Sequence, residues 1–243
     1  MRGLILAVQF LTRLPTPALA DFQPGELSRS LAWFPPVGLL IGGLVCLAVW
    51  LGARVDPWLG ALAGLTAWVW LTGALHLDGL ADLADALGAA HRDRERFLSV
   101  LSDPHVGVFG VVAVVMQLMA KLVLLMLAAR LELYWLLCLA PAWARFGVMA
   151  WCRLPALKPG LGERYAWRVA SWVAIVWLAM LLLASALAPA SLLALMAIAF
   201  WYGFLSRKLG GMTGDALGAG VELTEVMTLL AGVVLASIQS AAA

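Results

Sequence analysis

Three carboxylates and an imidazole stand together at residues 76 to 87, HLDGLADLADAL. They follow about twenty residues, Pro57 to Leu75, that carry no charge, roughly the length of a membrane crossing. On a helix each residue turns about 100°, so Asp78, Asp82 and Asp85 fall within about 60° of one another. Leu80, Leu83 and Leu87 fall on the opposite side, so the helix is expected to bury its leucines and present its carboxylates as a row. Like charges at i, i+4 and i+7 repel unless a cation sits against them or some of them hold protons. A divalent cation meets that need. Oxygen-only ligands suit Mg²⁺ or Mn²⁺, and Mg²⁺ characteristically takes one or two protein carboxylates together with substrate phosphate and water. The plainer alternative is a solvated acidic helix start. Gly79 allows close approach of backbone or ligand, and Asp78 can serve as an N-cap. His76 is a poor Mg²⁺ ligand; it suits proton transfer, contact with a phosphate, or a structural hydrogen bond.

A second stretch, LGGMTGDALGAGVELTE at 209 to 225, sets Gly210, Gly211, Gly214, Gly218 and Gly220 around Thr213 and Asp215. Such a loop leaves backbone N–H groups to line an anion, and a following helix adds its N-terminal dipole. No Gly-Lys-Ser/Thr follows, so it is not a nucleotide-binding P-loop. Glycines in membrane proteins also mark close helix packing. Asp215 and Glu222, seven apart, share a helical face, which suggests a second metal-binding edge. The third stretch, LSDPHVGVFG, places Asp103 and His105 around Pro104 just before an apolar run, and reads equally as a polar turn. Within the apolar runs Lys121 and Arg145 stand out. An intramembrane cation is costly, so a partner is expected among the carboxylates or a ligand phosphate, with snorkelling to an interface as the competitor.

The elements that must hold these residues are set by composition. The 243 residues are 64% hydrophobic and 12% charged, with a mean hydropathy of +0.96. That is an integral membrane protein of the all-α class, since the runs are continuous and lack the alternation of a membrane barrel. Apolar stretches at roughly 31 to 53, 57 to 74, 107 to 129, 132 to 151, 169 to 187, 189 to 206 and 226 to 240 predict a polytopic bundle of about seven transmembrane helices in one domain. The last stretch is short. Before them, Arg2 and the run GLILAVQFL imitate a secretory signal, but Arg13, Pro15 and Pro17 fit better a short N-terminal interfacial helix followed by a turn.

With the N-terminus inside, alternate placement gathers Arg2, Arg13, Arg29, Arg92, Arg94, Arg96, Arg153, Lys158, Arg164, Arg168, Arg207 and Lys208 on one face, against Arg54 and Arg130 on the other. The basic face is then cytoplasmic. All three polar stretches emerge on it. The net charge of +2 and the scattered basic residues argue against nucleic acid. Cys46, Cys138 and Cys152 show no CxxC spacing and read as small buried hydrophobes. Trp33, Trp50, Trp58, Trp151, Trp167 and Trp201 lie near span ends, as an interfacial aromatic belt would.

FLTRLPTP at 10 to 17, WFPPVGLLIG at 33 to 42, HLDGLADLADAL, SDPHVGVFG, Arg145 in its span and LGGMTGDALGAGVELTE, in that order over nearly the whole chain, resemble the cobalamin synthase family, the adenosylcobinamide-GDP ribazoletransferases of bacteria and archaea. The resemblance implies an enzyme of the cell inner membrane joining adenosylcobinamide-GDP to α-ribazole, or to α-ribazole 5′-phosphate, with release of GMP and a requirement for Mg²⁺. It implies Asp78, Asp82 and Asp85 as principal metal ligands, with Asp215 as a further ligand or organiser of the phosphate site. Gly210, Gly211, Thr213 and Gly214 would cradle phosphate. The proton acceptor would come from His76, Asp103 and His105, and Lys121, Arg145 and Arg13 would hold the pyrophosphate or the acidic substrate. Oligomeric state is left open. Two rivals are weaker. A CDP-alcohol phosphotransferase requires Asp-Gly-x-x-Ala-Arg, whereas Asp82 follows Asp78-Gly79-Leu80-Ala81 here. A cation- or proton-coupled transporter predicts mid-membrane acids and an internal repeat.

Overall fold

A computed structural model describes residues 2–19, 24–90, 93–157 and 169–242. Among them there is helix and no strand; one parallel bridge joins Ala156 to Met212. Helices are what apolar runs of this length must form where no water can satisfy the backbone. In chain order they are α1 (Arg2–Leu11), α2 (Pro24–Ser30), α3 (Phe34–Ala53), α4 (Pro57–Thr72), α5 (Leu75–Ala90), α6 (Arg94–Val100), α7 (Val108–Arg130), α8 (Tyr134–Trp151), α9 (Ser171–Ala184), α10 (Ala194–Phe204) and α11 (Gly214–Ala242).

Among the described residues four segments are long and apolar enough to cross a membrane: Ser28–Ala53, Val108–Arg130, Pro189–Leu209 and Gly214–Ala242. Counting α4 and α5 as one broken span gives five. The expected number of about seven is not reached among the described residues. The stretch expected at 132 to 151 is α8, a helix with Pro141 and Arg145 inside it that is buried along nearly its whole length and forms the centre of the bundle. Ser171–Leu187 is apolar but short. The last crossing, expected to be short, is instead a 29-residue helix, about 43 Å long at 1.5 Å per residue.

Small residues let α3 and α8 approach. A side chain at Gly38 would come within 2.5 Å of the Pro141 carbonyl oxygen, and one at Gly42 would strike the Cys138 backbone. The N-terminal helix α1 packs inward through Leu6, Ala7 and Leu11, and Phe10 stacks on Phe34 with ring centroids 6.0 Å apart. Trp33, Trp50 and Trp58 are exposed as the belt reading expects, but Trp151 and Trp201 are core residues. Trp151 donates to the Ile198 carbonyl at 3.1 Å and Trp201 to the Ala216 carbonyl at 2.9 Å, which ties α8 to α10 and α10 to α11. Trp167 lies outside the described residues, as do Arg92, Lys158, Arg164 and Arg168 of the basic face.

The break that positions the site is at Gly73 and Ala74, whose φ angles are +59° and +61°. Left-handed backbone ends α4, and α5 leaves it at 84°. The N–H of Arg13 donates to the Leu71 carbonyl at 2.7 Å, and its side chain lies over Gly73, where any Cβ would strike it. The segment after α1 thus braces the corner from which the acidic helix departs.

Candidate active site

The three polar stretches meet. At the start of α5, a Cβ on Gly79 would lie 2.7 Å from the carbonyl oxygen of Asp215 and 2.9 Å from its Cα. One on Gly218 would lie 3.3 Å from the Cα of His76. Two glycines, one from each helix, therefore let α5 and α11 touch backbone to backbone, which brings the turn of α5 that carries Asp78 and Asp82 to the first turn of α11, where Asp215 lies. Asp78 is exposed, and Asp82 and Asp215 are half-buried.

Asp85, one turn further on, faces elsewhere. It is buried, and its Oδ2 accepts the N–H of Gly107 at 2.7 Å while Oδ1 accepts that of Gly110 at 2.9 Å. The shared face expected of the three aspartates is real as azimuth, but α5 is long enough for that face to meet α11 at one end and the start of α7 at the other. In the loop ahead of α7, Asp103 Oδ1 accepts both the backbone N–H of His105, at 2.9 Å, and its ring Nδ1–H, at 2.6 Å. These bonds, the backbone one first, hold the Asp103 carboxyl below the usual aspartate range. Both side chains are exposed.

The glycine-rich stretch departs from its expected form. From Gly214 onward it is helix, and Gly218 and Gly220 serve packing, the latter against Trp201. Gly210, at φ +76°, closes the turn Leu205–Leu209, and the N–H of Gly211 is taken by the Leu205 carbonyl at 3.1 Å. Met212 N–H goes to the Pro155 carbonyl at 2.8 Å. Thr213 caps α11 by accepting the Ala216 N–H on Oγ1 at 3.1 Å. What this stretch leaves open is thus the helix start at the exposed Gly214, not a loop of free N–H groups.

Lys121 and Arg145 find their partners among carboxylates. Lys121 Nζ lies 2.7 Å from Glu222 Oε2 and 2.6 Å from Glu225 Oε2, over the ring of Trp68 at 4.3 Å. Arg145 pairs with the other oxygen of Glu225. The Gln117 amide donates to Glu222 Oε2 at 2.8 Å and to the Glu222 carbonyl at 2.8 Å. All four charged residues are buried. Two cations meet two anions, so the cluster is neutral as a whole. Glu222 is therefore turned into this cluster and does not continue a metal-binding edge from Asp215. Arg145 also approaches His76, Nη2 to Nδ1 at 3.4 Å. A guanidinium only donates, so Nδ1 of His76 is the acceptor there and its ring proton sits on Nε2.

With this geometry in view, the chain can be set against known proteins. The model of the family described as cobalamin-5-phosphate synthase matches residues 3–233. The chain belongs to the cobalamin-5-phosphate synthase family. Curated relatives named adenosylcobinamide-GDP ribazoletransferase include that of Thiobacillus denitrificans, 58% identical over 241 residues and 97% of each chain. That of Laribacter hongkongensis is 56% identical over 239 residues, 96% of this chain and 97% of the relative. That of Pseudomonas aeruginosa PAO1 is 39% identical over 241 residues, 95% and 97%. No solved structure matches.

In this member of the cobalamin-5-phosphate synthase family, the turn of α5 that carries Asp78 and Asp82 packs through Gly79 on the backbone of Asp215 at the start of α11, and Arg13 lies at the α4–α5 corner. Lys121 and Arg145 lie apart, inside the bundle. Among the described residues, no group of three or more His, Cys, Asp or Glu side chains is gathered as a ready-made metal site. Glu225, the residue that joins both buried cations, was missed from sequence. Its signal was available: two cations in apolar runs call for two acids in apolar runs, and ELTE at 222 to 225 supplies them.

Proposed function

We propose that this chain joins adenosylcobinamide-GDP to α-ribazole, or to its 5′-phosphate, and releases GMP, at the junction of α5 and α11. The substrates follow from the relatives' name. The location rests on the contact of Gly79 with the Asp215 backbone, which brings the turn of α5 that carries Asp78 and Asp82 to the start of α11. In the reaction a ribazole hydroxyl oxygen bonds to the phosphorus that carries cobinamide. The bond from that phosphorus to the bridging oxygen breaks, GMP takes the electron pair, and the hydroxyl proton passes to a base.

The donor set fits Mg²⁺ or Mn²⁺. It is oxygen only, with one exposed and two half-buried carboxylates, and the lack of a preassembled cage agrees with an ion that completes its shell with substrate phosphate and water. Bound there, the ion would supply Lewis-acid neutralisation of the pyrophosphate. Asp78, Asp82 and Asp215 would hold it. The start of α11 at Thr213 and Gly214 orients a phosphate by its dipole, and Arg13, exposed at the α4–α5 corner, meets the anionic substrate. His105 accepts the proton, because its Nδ1–H is engaged by Asp103 and its Nε2 lone pair remains. His76, with Nδ1 toward Arg145, offers an N–H instead. Lys121 and Arg145 act by fixing α11 through Glu222 and Glu225. By the positive-inside rule the junction faces the cytoplasm, since alternate placement of the spans puts Arg2, Arg13, Arg94, Arg96, Arg207 and Lys208 on the same side as the three polar stretches.

The test is purified protein in liposomes, given adenosylcobinamide-GDP, α-ribazole and Mg²⁺. Cobalamin and GMP should appear in equal amounts, and a wild-type protein that makes neither sinks the reading. Asp82→Asn should stay in the membrane and lose turnover; near-normal rates would refute its role.

A further inference from the structure

We propose that Asp85 is a positioning residue, a helix cap that α5 supplies to α7 from outside α7, and is not one of the cation's ligands. This rests on the reading of Asp78 and Asp82 given above. Helix α7 begins with Gly107 at its N-cap position, a residue with no side-chain oxygen to satisfy the first-turn N–H groups. Asp85 takes that place. Its two oxygens accept the N–H groups of Gly107, the N-cap, and Gly110, the third helical position, the two donors that a capping box satisfies from within a helix, and its charge faces the positive end of a 23-residue helix.

The surroundings are shaped for this carboxylate. A Cβ on Gly107 would lie 2.5 Å from Asp85 Oδ1; one on Gly110 would strike Oδ2 and lie 2.9 Å from the Ala81 carbonyl oxygen. A third glycine, Gly88, gives room to the ring of Phe109. Glycines on both helices thus close the two backbones around one buried carboxylate. A cation at Asp78 and Asp82 is served by the exposed end of α5, whereas Asp85 lies seven residues, about 10 Å, along the axis from Asp78. What the cap positions is the loop before it. Gly107 is two residues from His105, so fixing its N–H to α5 fixes the Asp103–His105 pair relative to the acidic face.

The experiment compares Asp85→Asn, Gly110→Ala and Asp82→Asn in the full-length protein, reading Mn²⁺ affinity by electron paramagnetic resonance alongside kcat and KM. An asparagine can accept only one of the two N–H groups, and Gly110→Ala attacks the same contact without removing any carboxylate. Both should keep Mn²⁺ affinity and KM for adenosylcobinamide-GDP within about threefold of wild type and lose at least about tenfold in kcat. Asp82→Asn should weaken Mn²⁺ binding at least about tenfold. The assignment is overturned if Asp85→Asn weakens Mn²⁺ as much as Asp82→Asn does, or if Gly110→Ala turns over like wild type. Should Asp85→Asn not accumulate, amide exchange on wild type decides. Gly107 and Gly110 should be protected without metal and unchanged by Mn²⁺; metal-induced loss of that protection overturns the cap. Wild type that binds no Mn²⁺ would overturn the cation reading of Asp78 and Asp82, while unprotected Gly107 and Gly110 amides would overturn the cap.

Discussion

Replacing Glu225 by glutamine removes one negative charge from a cluster that holds Lys121, Arg145, Glu222 and Glu225 in the middle of the bundle. The relative exposures are 2%, 0%, 3% and 0% in that order, so no water is at hand to take up the difference. Two positive and two negative charges sum to zero in the wild type; two positive and one negative leave +1 in the variant. Lys121 keeps Glu222 at 2.7 Å, so the uncompensated charge falls on Arg145. Breaking a buried ion pair by removing one partner costs about 3–5 kcal/mol. For a chain of this size each kcal/mol moves Tm by about 2–4 °C, so a fall of about 6–20 °C is expected in detergent. The matched control is Arg145→Met with Glu225→Met, which leaves Lys121 paired with Glu222 and the cluster neutral. That double variant should melt above Glu225→Gln. A Glu225→Gln protein within about 2 °C of wild type, or a double variant whose loss equals the sum of the single Arg145→Met and Glu225→Met losses, would show that the two residues are not coupled and refute the argument.

Two further outcomes follow from the site. Gly79→Val should push α5 off α11, since even its Cβ would lie 2.7 Å from the Asp215 carbonyl oxygen; turnover should fall at least about tenfold while the protein remains membrane-inserted, and unchanged turnover would mean that the junction is not the site. Asp103 is held below the ordinary aspartate range by His105, so the bond's stabilisation of the loop is present above about pH 4 and is lost as pH falls through the lowered value. Carboxyl carbon NMR should show His105→Ala raising the Asp103 titration only part of the way toward about 3.9, because the backbone N–H at that position still donates; an unmoved titration would dismiss the side-chain pair.

Much of the class was legible because it depends on composition and order. Apolar runs dictated helices, and the motifs HLDGLADLADAL and LGGMTGDALGAGVELTE carried the family, which the match over residues 3–233 shows. The span count was less legible. An apolar run with Pro141 and Arg145 inside it does not say that α8 is buried by its neighbours at the centre of the bundle, and nothing local announces that Gly73 and Ala74 take left-handed angles that turn α5 away. The glycines of 210 to 220 looked like a phosphate loop, yet Gly218 and Gly220 are flat places where His76 and Trp201 pack. Glycine frees a chain for a loop and clears a helix for a neighbour, and a single sequence does not say which.

By itself the sequence determined which residue types lie on which helical face, that the chain is a helical membrane protein, and which family it belongs to. Periodicity is a property of one helix, and hydropathy of one segment. Only the tertiary structure decided which neighbour each face meets. It packed Gly79, between Asp78 and Asp82, on the backbone of Asp215 but turned Asp85 to the start of α7, and it answered Lys121 and Arg145 with Glu222 and Glu225 across about a hundred and about eighty residues of chain. Charges are partnered by distance in space, and that distance exists only once the helices have packed.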